Sequence, residues 1–140
     1  MEIPFSISFA FYPGADPVDN AFALKTMLET LIELNCGFLR RHPALPLYRS
    51  GVRYGRTLQW DTIPDLYYRK KGDCKSLSAA LIAQYRHAGI PADPVFRFNP
   101  DQKKKDNLYH ILVQVRKGKV SEYEDPSKAL GMLKETWMGY

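Results

Sequence analysis

The run Gly72-Asp73-Cys74-Lys75-Ser76-Leu77-Ser78-Ala79-Ala80-Leu81 begins a helix and places a thiol in its first turn. Asp73 is a natural cap, since its carboxylate can accept from a backbone N–H that has no intrahelical partner. Leu77, Ala80, Leu81, Tyr85 and Ala88 then recur at helical spacing and form one apolar stripe. Gly89 accommodates the left-handed turn that closes a helix, and Pro91 prevents its resumption. The pattern predicts a helix of about 14 residues, buried along one side, so the rest of the chain must supply a layer for it to pack on. A thiol at this position lies at the positive end of the helix macrodipole, which favours the nucleophilic thiolate. From the helix alone, a small, inert core cysteine is the favoured reading.

A second element bears on that choice. Asn107-Leu108-Tyr109-His110-Ile111-Leu112-Val113-Gln114-Val115 is rich in β-branched and aromatic residues and predicts a strand. Lys117-Gly118 interrupts it, and Val120 to Asp125 resumes an extended pattern until Pro126, which together suggest a hairpin. With Lys117 and Gly118 as the loop, Arg116 opposes Lys119, and His110 faces Asp125 across the ladder. Their Cβ atoms would then be about 5 Å apart. A carboxylate beside an imidazole fixes its tautomer and stabilises the imidazolium. The chain then holds a nucleophile, a base and an orienting group in the order Cys74, His110, Asp125.

Gly72-Asp73-Cys74 opening an amphipathic helix that ends in His87-Ala88-Gly89-Ile90-Pro91-Ala92 resembles the core of transglutaminase-like proteins. The His110 strand and Asp125-Pro126-Ser127 after the next strand extend the likeness, which covers roughly residues 58 to 130. The resemblance implies a cysteine nucleophile that accepts an acyl group, a histidine base and an orienting aspartate. Residue by residue, those roles fall to Cys74, His110 and Asp125. It also implies an α+β, papain-like or transglutaminase-like fold, with the nucleophile helix packed on an antiparallel β-sheet. In that superfamily a side chain upstream of the cysteine joins the cysteine backbone N–H in the oxyanion hole. Trp60 and Gln59 are the candidates here, with Trp60 as a plain core aromatic the competing assignment.

A length of 140 residues predicts one domain, with a 58–130 core and the 1–42 segment completing its layers. Ile3, Phe5, Ile7, Phe9 and Phe11 alternate with smaller or polar residues and predict a strand, followed by a Pro13-Gly14 turn. Asp16-Pro17-Val18-Asp19 then introduces a long helix with Phe22, Leu24, Met27, Leu28, Leu31, Ile32 and Leu39 as its stripe, ending at His42-Pro43. Cys36 falls late in this helix and reads as packing. Residues 48 to 68 are rich in apolar area but show little periodicity. Past Pro126, Ala129, Leu130, Met132, Leu133 and Trp137 predict a short helix, and Asp125 would serve as its cap. One carboxylate oxygen could serve that helix and the other His110.

The remaining features narrow the chemistry. Two cysteines make no disulfide framework, and three scattered histidines make no metal cluster, so neither a metal nor any other cofactor is expected. No apolar run is long enough to span a bilayer and no signal peptide is evident, which points to a cytoplasmic protein. The net charge of +5 raises the question of nucleic acid. Yet Lys103-Lys104-Lys105 sits between Asp101 and Asp106 in a loop, and no nucleic-acid module is recognisable. Nucleic acid therefore ranks last among partners, and a protein or peptide substrate first. The sequence leaves oligomeric state open. Two functions lead: a cysteine-dependent acyl-transfer enzyme of peptidase, amidase or transglutaminase type, working through a thioester, and a catalytically silent binding or structural module of the same fold. Small single-domain proteins with this resemblance also look like phage- or virus-encoded parts, for which a virion-associated module is the corresponding expectation.

Overall fold

The computed structural model describes residues 17–98 and 109–133. The expected N-terminal strand, the Lys103–Lys105 run and Trp137 lie outside the described residues. Helix α1 spans Pro17–Arg41. A 3₁₀ turn follows at Leu47–Arg49, then strand β1 at Arg53–Tyr54, helix α2 at Ile63–Arg69 and strand β2 at Lys71–Gly72. Helix α3 runs Cys74–His87, and β3 (Ala92–Phe98), β4 (Tyr109–Lys117), β5 (Val120–Glu124) and α4 (Pro126–Ala129) complete the order. The architecture is α+β. β3, β4 and β5 form an antiparallel sheet with β4 in the middle, while β1 and β2 make a separate parallel pair.

Helix α3 is the centre of the molecule. Its Leu77, Ala79, Ala80, Leu81, Ile82 and Ala83 are all buried, against α1 on one side and the sheet on the other. The element is 14 residues long, as its sequence predicts. Asp73 caps it by accepting from the Lys75 backbone N–H. At the far end Gly89 takes φ +80, Gly89 N–H donates to Arg86 O and Ile90 N–H to Tyr85 O. That pair of bonds satisfies carbonyls the last turn would otherwise leave unmatched.

The α1 stripe is narrower than its sequence predicts. Leu28, Leu31, Ile32, Cys36 and Leu39 are buried in the core, whereas Phe22 is 73% exposed. Asn35 is buried with them and accepts the Ile63 N–H at 2.8 Å, so a side chain of α1 caps the first turn of α2. Cys36 is a packing residue.

The β4–β5 register departs from the sequence expectation. Lys117 pairs with Val120, making Gly118 and Lys119 the turn, so His110 and Asp125 are not directly opposed. The cause is local. Gly118 adopts φ +64 at the first turn position, which suits glycine there. The expected loop would have required Lys117 to adopt a positive φ, a conformation its side chain disfavours. The shift moves each partner by two residues, so every side chain keeps its face of the sheet.

Gly72 allows a close approach between two elements. A Cβ there would lie 2.4 Å from Leu66 Cδ1 and 3.5 Å from Ser76 Cβ, so glycine lets α2 close directly onto the chain entering α3.

Candidate active site

The capped start of α3 places Cys74 in its first turn, half-buried and packed against the core. Strand β5 ends at Glu124, opposite Val113, so at Ile111, paired with Phe96 of β3 on one side, β4 has no strand on its other side. Helix α3 takes up that edge: Ser78 Oγ donates to Ile111 O at 3.1 Å, and the Ile111 backbone also acts on the Cys74 thiol. The thiol is therefore seated against β4 next to the residue that follows His110.

His110 is only 2% exposed. Ile111, Val113 and Val115 belong to the core row of β4, so the pleat turns His110 and Leu112 to the alternate side. Asp125, one residue past β5, falls beside Leu112 on that same side, diagonal to His110. The diagonal distance is within reach of the two side chains. His110 Nε2 lies 2.8 Å from Asp125 Oδ2, and Asp125 Oδ1 accepts the Lys128 N–H at 3.2 Å. One carboxylate thus serves the imidazole and caps α4, as the sequence allowed. The fold brings His110 and Asp125 into direct contact, and brings Cys74 to the same strand through Ile111.

The electrostatics at Cys74 differ from what its helix position alone suggests. Burial, and then the Asp73 carboxylate, push the thiol up to about 11, against smaller lowering effects from the Ile111 backbone and Lys75. Desolvation is the largest of these effects. Burial raises the Cys36 thiol as well, followed by Glu33. A thiol raised this far is protonated at neutral pH, and forming its thiolate there would require a base.

The segment 57–61 is fastened over this first turn. Lys75, though charged, is 6% exposed; its ammonium donates to Thr57 O at 2.8 Å, pairs with Asp73 and stands 5.7 Å from the centre of the Trp60 ring. Ser76 Oγ accepts the Asp61 N–H at 3.0 Å and donates weakly to Gln59 O at 3.4 Å. Trp60 is half-buried beside the Cys74 turn, and its indole N–H makes no hydrogen bond among the described residues. Gln59 is exposed. Lys75 escapes a reading of the sequence, because a lysine in a helix normally reads as solvent-facing and its carbonyl partner comes from 18 positions away.

A third cluster borders the site. Glu124 Oε2 accepts from the Tyr48 hydroxyl and Oε1 from the Tyr85 hydroxyl, each at 2.6 Å. These bonds tie the 3₁₀ turn and α3 to the last residue of β5, immediately before Asp125. Burial and then the Glu124 hydrogen bond push the Tyr85 phenol up to about 12. Among the described residues no group of histidine, cysteine and carboxylate side chains could hold a metal ion, and no helix is long and apolar enough to cross a membrane.

Residues 46–128 match the transglutaminase-like superfamily, which is more than half of the 140-residue chain. The protein belongs to the transglutaminase-like superfamily. The match begins just before the 3₁₀ turn and ends within α4, so it takes in Cys74, His110 and Asp125 together with Gln59 and Trp60. No curated protein and no solved structure matches the chain.

Proposed function

We propose that this protein is a cysteine-dependent acyl-transfer enzyme, of peptidase, amidase or transglutaminase type, in a single papain-like domain. The observation that carries the reading is the buried His110 held by Asp125 at 2.8 Å, on the strand against which the Cys74 helix begins. Superfamily membership supports it. Asp125 engages Nε2, so Nδ1 is the nitrogen assigned to the thiol proton. Cys74 Sγ attacks a peptide or carboxamide carbon as His110 removes its proton, forming the C–S bond and a tetrahedral oxyanion. His110 then returns the proton to the departing nitrogen, the C–N bond breaks, and a thioester remains. Water or an amine, deprotonated by His110, attacks the thioester and releases Cys74 as the thiol.

The Cys74 backbone N–H and a side chain from segment 57–61 would stabilise the oxyanion. Trp60 is the better of the two candidates, because its indole N–H has no other acceptor among the described residues and it is fixed beside the nucleophile turn. A second reading, a silent binding module, is favoured by the protonated thiol. A positioned base meets that objection, since it can take the proton during the attack itself.

The deciding experiment uses p-nitrophenyl acetate as acyl donor and intact-mass analysis with peptide mapping. The enzyme reading expects one acetyl group on Cys74, a burst of nitrophenolate, and loss of both in His110→Ala. No acetyl-thioester on Cys74, in a protein that melts normally, would leave the binding module.

A further inference from the structure

We infer that the outer face of the β1–β2 pair, beside the proposed nucleophile, is a subsite for an acidic segment of the polypeptide substrate. Arg53 and Lys71 are exposed and stand directly opposite each other in the parallel register, so two like charges share one face. Tyr54 and Gly72, the other pair, turn inward. Like charges placed across a ladder destabilise it unless something between them is negative. Among the described residues, no carboxylate forms an ion pair with Arg53, Arg56, Lys70 or Lys71.

Among the described residues, the surrounding carboxylates are occupied. Asp61 pairs with Arg69 at 3.5 Å, Asp73 with Lys75, Asp125 with His110, and Glu124 takes two tyrosine hydroxyls. Asp65 lies in the first turn of α2, where a negative charge suits the helix N-terminus. Of the four cations, Lys70 donates to Ser50 O and Arg56 reaches the Tyr54 phenol, but both remain exposed. Among the described residues, the acids at this face are engaged within the fold while its bases are exposed and without a carboxylate partner.

The face is also tied to the site. Lys71 precedes Cys74 by three residues, a span of at most about 11 Å. Gly55 N–H donates to Gly72 O at 2.9 Å and Tyr54 N–H to Leu130 O at 2.9 Å, fixing β1 between the start of α3 and the turn after α4. The Arg53 guanidinium rests over that turn, 2.7 Å from where a Gly131 Cβ would stand. A polypeptide whose carbonyl is presented to Cys74 would bring its flanking residues across these cations, and glutamate or aspartate there would find charge-assisted partners. Four cations are a short track for a nucleic-acid backbone, which draws on about six to ten phosphate contacts in strong binders. The inference rests on the acyl-transfer reading for its choice of a polypeptide.

The test measures binding rather than turnover, by fluorescence anisotropy on the Cys74→Ala protein. The probes are fluorescein-labelled decapeptides with four glutamates, or four glutamines at the same places, and a single-stranded oligonucleotide of ten nucleotides. The glutamate peptide should bind about ten-fold tighter than the glutamine peptide, and Arg53→Gln with Lys71→Gln should abolish most of that preference. Lys71→Gln alone should remove part of it, which keeps the test decisive should the double variant not fold. Arg116→Gln with Lys119→Gln, the same charge change on the β4–β5 hairpin, should leave the preference within about two-fold. Equal loss in both double variants, no preference for glutamate, or tighter binding of the oligonucleotide than of the glutamate peptide would each overturn the inference. Charge-blind binding alongside acetylation of Cys74 would remove the subsite alone. Glutamate preference without acetylation would remove the enzyme reading and leave an acidic-peptide surface.

Discussion

His110 Nε2 and Asp125 Oδ2 lie 2.8 Å apart although the two residues sit diagonally, not opposite, in the ladder. The other Asp125 oxygen caps α4 through the Lys128 N–H. An aspartate can accept on both sides at once, and an asparagine cannot. If the carbonyl oxygen introduced by Asp125→Asn keeps the cap, the new NH₂ faces Nε2 and forces the proton to Nδ1, where it blocks the base.

Asp125→Asn should therefore leave thermal stability nearly unchanged, since asparagine caps as well as aspartate. Acetylation of Cys74 should fall by about 10²- to 10⁴-fold, the upper end being the loss known for a misplaced tautomer in a serine triad. A fall in that range is expected because the thiol is protonated at rest and, in the proposed acyl transfer, every turnover needs the base. Asp125→Ala should lose the same activity and about 1 kcal/mol of stability with the cap. Stopped-flow nitrophenolate release and melting curves on the three proteins separate the roles. Unchanged acetylation in Asp125→Asn would make Asp125 a cap only.

The Cys74 thiol, raised to about 11 from an ordinary 9.0, stays protonated through neutral pH. A Cys36→Ser, His110→Ala protein should show no thiolate absorbance at 240 nm between about pH 6 and 9, with the rise centred near 11. The unfolded chain ionises first, so the contribution of this thiol to stability is intact below pH 9 and declines as pH rises toward 11. A thiolate already present at pH 7 would show that the helix dipole overcomes burial.

Glu124 is held by Tyr48 and Tyr85, and through Tyr85 helix α3 is bound to the strand that ends beside Asp125. Tyr85→Phe keeps the ring and removes one charge-assisted bond, and should cost about 1–2 kcal/mol in urea unfolding. Glu124→Gln should cost less, because a carboxamide can still accept from one phenol. A Tyr85→Phe loss indistinguishable from zero would mean that the bond is made with no net gain over solvent.

What the sequence reveals of this fold follows how local each instruction is. Helix α3 is legible to the residue because Asp73, the apolar stripe and Gly89 all act within the element itself. The pairing of His110 with Asp125 survives a misplaced hairpin turn, since a shift by two residues preserves the face and the side chains span the diagonal. Strand β3 is concealed because Asp93, Pro94 and Arg97 interrupt its apolar pattern; an edge strand tolerates a proline that a central strand would not. Helix α2 has only seven residues, and its signal reduces to Ile63, Leu66 and Tyr67. β1 and β2 are two residues each and exist through pairing across 18 positions, which no local pattern encodes. Lys75 is hidden for the same reason, and so is the rise of the Cys74 thiol, because burial is a property of the assembled chain.

The most direct measurement is the alkylation rate of each cysteine by iodoacetamide at pH 7, mapped by mass spectrometry in the wild type and in His110→Ala. Cys36 is 8% exposed in the α1 core with a raised thiol, and should react slowly and identically in both proteins. Cys74 should react at least about ten-fold faster than Cys36 in the wild type, and lose most of that advantage in His110→Ala, as a thiol served by a general base must. Equal rates for the two cysteines, or a Cys74 rate indifferent to His110, would contradict the account and place Cys74 among the structural thiols.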